Sequence, residues 1–115
     1  MDIEVGDYVR TNDGRIFRVY KIDNKNSKYT LYSDEFTRPI NYKVTKHSKN
    51  IIDLIEVGDF VNGNRVVDKY LYAGEKPVLE TVGIEYNAYC LSEGDIREIL
   101  TKEQYLQNRY KVERS

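Results

Sequence analysis

The sequence predicts an all-β fold with minor short helices, built as two small versions of one unit, and three observations carry that prediction. The heptapeptide Ile3-Glu4-Val5-Gly6-Asp7-Tyr8-Val9 recurs as Ile55-Glu56-Val57-Gly58-Asp59-Phe60-Val61, identical at six of seven positions and aromatic at the seventh in both. Each copy runs into a turn signal, Asn12-Asp13-Gly14 or Asn62-Gly63-Asn64, that supplies the positive φ angles of tight hairpins. The rest of the chain is short alternating runs rich in Tyr, Val and Thr, broken by polar turns.

In the heptapeptide, Gly allows a corner closed to other residues, and Asp accepts hydrogen bonds from nearby amides in an Asx-type turn. The Val and aromatic positions then feed a core. In the first unit, Arg15–Tyr20, Lys28–Ser33 and Ile40–Val44 read as strands, and Ser48 or Thr45 starts a single helical turn before Ile51-Ile52-Asp53-Leu54. In the second, Arg65–Val67, Lys69–Tyr72, Val78–Val82 and Asn87–Leu91 read as strands. Asp23–Ser27, Asp34-Glu35, Ala73–Pro77 and Ser92–Asp95 separate them as turns. Thr101 and Gln104 have capping-box spacing, so Lys102 to Arg109 is expected to form a short helix before Tyr110-Lys111-Val112 returns as a strand. The far ends of the units align as Tyr42-Lys43-Val44-Thr45-Lys46 with Glu98-Ile99-Leu100-Thr101-Lys102.

Five short antiparallel strands with a helical turn before the last describe a small SH3-like barrel. The expected architecture is therefore two tandem SH3-like barrels, residues 1-54 and 55-115, packed together. A unit this small buries only about 60% of its unfolded-chain surface, and no linker separates the two, so the apolar Ile51–Ile55 junction is expected at their contact.

No apolar run approaches the ~18 to 20 residues that span a bilayer, and Met1-Asp2-Ile3-Glu4 lacks a signal peptide's basic and apolar regions, so the expected location is the cytoplasm. The net charge of −1 divides unevenly: residues 13 to 49 carry nine Lys/Arg against four Asp/Glu, and residues 50 to 115 carry eight against twelve. This asymmetry can orient a partner, yet it falls far short of a dedicated nucleic-acid binder.

Catalytic motifs are scarce. Neither G-x-x-x-x-G-K-[ST] nor G-x-G-x-x-G is present, which excludes nucleotide hydrolysis by that route. Cys90 is the sole cysteine and reads as a small buried hydrophobe, and His47, the sole histidine, reads as part of a solvated basic turn. Asp34-Glu35 and Glu93-Gly94-Asp95 are turn carboxylates that read as solvent-facing, and a pairing of Asp7 with Asp59 needs the two corners to face each other. No enzyme activity, metal site or cofactor is expected. Tyrosine is the one unusual count, eleven against no Trp and three Phe. Exposed Tyr gives large contact area with few rotors to freeze. Tyr29, Tyr32 and Phe36, flanked by Lys28 and Arg38, form the predicted partner-binding patch, and a Tyr-rich core with hydroxyls at its rim is the competing account.

Lys46 to Gly63, together with Ile96 to Tyr105, resembles small proteins encoded by phages and prophages of Firmicutes, with duplicated SH3-like (KOW-like) units; the match covers about a quarter of the chain. The resemblance implies a protein acting in the bacterial host cytoplasm that binds and blocks a host protein, a nuclease of bacterial immunity among the candidates, in the manner of an anti-CRISPR. Two alternatives stand beside it: a nucleic-acid-associated accessory protein of phage replication or regulation, and a self-assembling structural module.

Overall fold

A computed structural model of the chain describes residues 3–25, 28–33, 39, 43–83 and 88–108. Within them the protein is mostly β, as expected, with two antiparallel sheets and one α-helix. Strands β1 (Tyr8–Thr11), β2 (Ile16–Lys25), β3 (Lys28–Ser33) and β4 (Val44–Ser48) form one sheet in the order β3-β2-β1-β4, followed by a 3-10 turn, Ile51–Leu54. Strands β5 (Phe60–Val61), β6 (Asn64–Tyr72), β7 (Lys76–Val82), β8 (Ala88–Leu91) and β9 (Ile99–Leu100) form the other in the order β8-β7-β6-β5-β9. A second 3-10 turn, Glu93–Asp95, precedes β9, and helix α1 (Lys102–Asn108) follows it. In each sheet the strand after the heptapeptide lies between its hairpin partner and the sheet's last strand.

The heptapeptide folds the same way twice. Gly6 and Gly58 take φ of 91° and 99°, the left-handed region that a side chain resists. Asp7 accepts the Glu4 amide at 3.0 Å and Asp59 the Glu56 amide at 2.7 Å. The Gly6 amide donates to the Val19 carbonyl at 2.8 Å and the Gly58 amide to that of Val66 at 2.9 Å. Val19 and Val66 return the bond to the carbonyls of Asp7 and Asp59 at 2.7 and 2.8 Å. Each corner thus delivers equivalent aliphatic side chains to a core: Ile3, Val9 and Val19 in one, Ile55, Val61 and Val66 in the other. Burying each contributes about 1.5–3 kcal/mol.

The hairpins beyond the corners differ. Tyr8 faces Arg18, whereas Phe60 faces Arg65, so the first hairpin is five residues longer. The short one turns on Asn62 and Gly63, with φ of 53° and 82°, as an Asn-Gly pair should. The long one reaches across to α1. Thr101 Oγ1 donates to the Gly14 carbonyl at 2.6 Å, and Gln107 Nε2 to that of Asp13 at 3.3 Å.

The contact between the sheets is organised by Arg10, which is fully buried. Its guanidinium donates to the Leu54 carbonyl at 3.0 Å, to both carboxylate oxygens of Asp59, and to Glu103 Oε2 at 2.7 Å. Its Nε lies 3.5 Å from Glu56 Oε2. Burial pulls the Arg10 pKa down, but the hydrogen bonds and charge of Asp59, with help from Glu56 and Glu103, leave it raised above the ordinary value. A charge so placed is tolerable only because it is paired and hydrogen-bonded.

At the 3-10 turn of the junction Ile52, Leu54 and Ile55 are inaccessible while Asp53 is exposed, and Ile52 and Ile55 belong to the core of the second sheet. Glu93 caps this turn, accepting the Ile51 and Ile52 amides at 3.1 and 2.9 Å. Some local expectations are corrected. Thr45 does not cap a helix; it lies inside β4 and donates to the Arg10 carbonyl at 3.1 Å. Because Tyr8 faces Ser48 and Phe60 faces Leu100, the far ends align Ser48 with Leu100, four residues away from the sequence-based match of Val44 with Leu100. The two strands expected between Arg65 and Tyr72 are one, β6, bulged at Val67. Ile40 to Tyr42, Asn87 and Tyr110 to Val112 fall outside the described residues.

Two glycine substitutions separate the hairpins. A Cβ on Gly14 would stand 2.4 Å from Thr101 Oγ1 and 2.7 Å from the Glu103 Cβ, whereas one on Gly63 meets nothing within 4 Å. Urea unfolding should show Gly63→Ala losing about 1 kcal/mol from left-handed strain alone, and Gly14→Ala about 3 kcal/mol, because strain and overpacking combine. Equal losses would mean that the long hairpin does not dock.

Candidate binding surfaces

On the first sheet two half-buried tyrosines are already engaged, while Tyr20 on β2 is 59% exposed. Arg18 lies over the Tyr8 ring at 6.0 Å and Lys21 over the Tyr32 ring at 5.4 Å, and both are cross-strand pairs. Such contacts stabilise by about 0.5–1 kcal/mol at exposed sites and cover a ring face that a ligand would otherwise use. Of the predicted patch, Lys28, Tyr29 and Tyr32 lie on β3, and Tyr32 is half-buried beside an antiparallel bridge to Pro39. The side chains of Lys28 and Tyr29, and the whole of Phe36 and Arg38, lie outside the described residues.

The second sheet leaves more apolar surface uncovered. Along one face of β6 the bulge at Val67 keeps Val66, Lys69 and Leu71 in line, opposite Thr81, Leu79 and Pro77. Val66 enters the core. Lys69 crosses to the junction, donating to the Asp53 and Ile55 carbonyls at 3.2 and 3.1 Å; burial is the chief cause of its lowered pKa, with the charge of Lys46 adding to it. Leu71, one step further, is 60% exposed among the described residues. On the opposite face Tyr70 and Tyr72 are 38% and 66% exposed. The β6–β7 hairpin, turning on Ala73 and Gly74 at φ of 52° and 74°, therefore projects past the core with large apolar side chains on both faces. The sequence held the signal: Tyr70-Leu71-Tyr72 breaks alternation just before an Ala-Gly turn, and a two-faced strand cannot bury three consecutive large residues without a layer on each side.

Tyr70 also meets Cys90, its hydroxyl 3.5 Å from Sγ, a hydrogen bond that heads the causes of its raised pKa. Cys90 is exposed, against the expectation of a buried thiol, because it faces outward from β8 opposite Glu80. His47 lies on β4 and not in a turn, with Nδ1 3.5 Å from Asp7 Oδ2.

The equivalent corner aspartates have different neighbours. Asp7 takes Lys49 Nζ at 2.8 Å besides His47 and its own turn. Burial pushes its pKa up, but the bond to Lys49, the Glu4 amide, and the charges of Lys49 and His47 leave it lowered. Asp59 instead takes Arg10 and the Lys102 amide, at 2.8 Å, so the two acids share no partner. Glu56 behaves like Asp7: burial raises its pKa, and the Lys102 bond at 2.7 Å with the charges of Arg10 and Lys46 brings it below the ordinary value. The turn carboxylates of residues 93 to 95 are likewise engaged, Glu93 at the junction and Asp95 with the Ser92 amide at 3.0 Å. Among the described residues no three His, Cys, Asp or Glu side chains cluster as metal ligands would, and no helix is long and apolar enough to cross a membrane.

Two concavities lie on the described surface. A groove of about 660 Å³ runs between the sheets, with Tyr8 and Ile16 on one wall and Ile96, Arg97 and Ile99 on the other. A smaller pocket of about 310 Å³ opens between β5, β9 and α1, walled by Phe60 and Tyr105.

Lowered carboxylate pKa values fix the acid limb of stability. Asp7 and Glu56 bind protons less readily folded than unfolded, so their contribution is fully present above their unfolded pKa values and is lost as pH falls through the folded ones. Thermal midpoints should be level from pH 7 to about pH 5 and fall below about pH 4.5, with a shallower fall in Asp7→Asn. An identical acid limb in that variant would contradict the corner's role.

No protein-family model, curated protein or solved structure matches this chain.

Proposed function

We propose that this chain is a non-enzymatic, protein-binding module of two packed SH3-like units that uses the β6–β7 hairpin as its anchor. The observation that carries the reading is the consecutive exposure of Tyr70, Leu71 and Tyr72 on a hairpin that extends beyond its own core. Exposed apolar area with no internal partner marks interaction surfaces, and Tyr is enriched among the few residues that dominate binding. The repeated strand order around each corner supports the SH3-like part of the reading. The sole histidine and sole cysteine take different partners, Asp7 and Tyr70, which supports binding over nucleophilic chemistry. That the bound protein belongs to a bacterial host and is inhibited, as an anti-CRISPR inhibits a defence nuclease, is supported by the phage-protein resemblance of the junction.

A nucleic-acid reading rests on the basic first sheet, where Tyr20 is exposed near Arg18 and Lys21. The covered rings of Tyr8 and Tyr32 weigh against it, since a base needs a free ring face to stack.

Bacterial lysate passed over the immobilised chain should yield one stoichiometric partner. Leu71→Ser with Tyr72→Ser should weaken its capture about tenfold or more while leaving the thermal midpoint unchanged. Undiminished capture by that variant would remove the hairpin from the interface. Tight DNA or RNA mobility shifts that weaken steeply between two salt concentrations would favour the nucleic-acid reading instead.

A further inference from the structure

The pocket beside α1 has a composition that the hairpin reading does not use. Among the described residues its lining is Phe60, Gly63, Glu98, Ile99, Leu100 and Tyr105, in which Glu98 is the one charged side chain. Strand register explains the grouping. Phe60 and Leu100 are cross-strand partners and so share a face, and Glu98, whose carbonyl accepts the Asn62 amide at 3.0 Å just before β9, joins the lining. Helix α1 adds the ring of Tyr105, whose amide donates to the Thr101 carbonyl at 2.9 Å. The rings of Phe60 and Tyr105 lie 4.9 Å apart at 38°, forming one continuous aromatic wall. Tyr105 remains 43% exposed, so a ring face is open, unlike those of Tyr8 and Tyr32. Space above Gly63 is clear, since a Cβ there meets nothing within 4 Å, and a partner's backbone can approach the rim.

We infer that this pocket binds the guanidinium of an arginine side chain presented by a partner protein. The volume, about 310 Å³, is at the small end for ligand sites and suits one long side chain more than a cofactor. The chemistry selects the head group. An aromatic wall attracts a cation over its face, a single carboxylate at the edge satisfies it with paired hydrogen bonds, and Leu100 lines the path of an aliphatic stem. A guanidinium meets all three requirements because it is planar, stacks, and presents a fork to a carboxylate; a lysine ammonium offers only a point charge. An anionic ligand would face Glu98 with no cation among the described lining residues. The pocket adjoins the Asn62-Gly63 turn at the start of β6, and the exposed hairpin tip is at the other end, about 26 Å away at 3.3 Å per residue. The two sites are therefore separable.

The test is a titration of the intact chain with N-acetyl-arginine amide, followed by the ring and amide resonances of Phe60, Leu100 and Tyr105. Saturable shifts confined to these residues are expected at about millimolar concentration, with weaker shifts from the lysine analogue and none from neutral, isosteric citrulline. Glu98→Gln should weaken arginine binding about fivefold. Tyr105→Leu, which keeps an apolar contact for Phe60 while removing the ring face, should do the same. Both variants must retain the wild-type thermal midpoint; if Glu98→Gln alone does so, it decides the matter. Equal shifts from citrulline, or undiminished binding by Glu98→Gln, would overturn the proposal. So would shifts of the same resonances with protein concentration alone, which would make the occupant a second copy. Leu71→Ser with Tyr72→Ser should leave arginine binding unchanged, so failure of the hairpin reading and failure of this one give different results.

Discussion

A buried guanidinium fixes how the two sheets meet. Arg10 leaves the first sheet at β1 and finds its partners in the second unit and at the junction: Asp59 at the corner, Glu103 on α1, Glu56 before the corner, and the Leu54 carbonyl. Removing one partner from such a set leaves a charge in a dry interior, typically at about 3–5 kcal/mol, a large part of a small protein's whole stability. The placement of the first hairpin, of α1 and of the 3-10 turn all follow from keeping those partners around one side chain. The cage also sets geometry, because a bidentate pair tolerates little rotation between the elements that carry it.

The repeat is informative where its copies diverge. Asp7 and Asp59 make the same turn, yet one is neutralised by Lys49 near solvent and the other by an arginine from the opposite unit. The position of Arg10 in the second copy is held by Asn62, whose side chain stays local, accepting the Arg97 and Glu98 amides at 2.8 and 3.2 Å. Five extra residues in the first hairpin give it the reach to dock on α1. One corner design thus supports an outward role and a joining role. The surfaces left over differ as well: Tyr8 and Tyr32 on the first sheet lie under cations, whereas Tyr70, Leu71 and Tyr72 on the second are open together.

Much of the fold was legible in the sequence because local chemistry dictates it. Glycine at a left-handed corner, aspartate accepting its own turn's amides, and Asn-Gly at a tight hairpin need no tertiary information. The junction was legible too, since Ile52, Leu54 and Ile55 are too apolar to lie in a linker. What the sequence concealed depends on long-range pairing. Arg10 reads as an ordinary strand residue, and only its partners, 44 to 93 positions away, make it the centre of the interface. Thr45 looks like a cap until β4 is seen to continue through Ser48, and Cys90 looks buried until the register of β8 turns it outward beside Tyr70. Count and flanking charge single out the tyrosines of the first unit, but exposure depends on where the core ends, which they do not reveal. That limit lies before Leu79 on β7 and after Val66 on β6, so Tyr70 to Tyr72 extend beyond the core of the described residues.

The dependence of both sheets on Arg10 is open to direct measurement by following urea unfolding through resolved resonances in each sheet, in the wild type and in Arg10→Ala. A single coincident transition is predicted for the wild type, with the substitution lowering stability by about 3–5 kcal/mol as reported from either sheet. Sheets that unfold at separate midpoints in the wild type, or a variant whose transition matches it, would contradict the claim that one buried cation holds the molecule together.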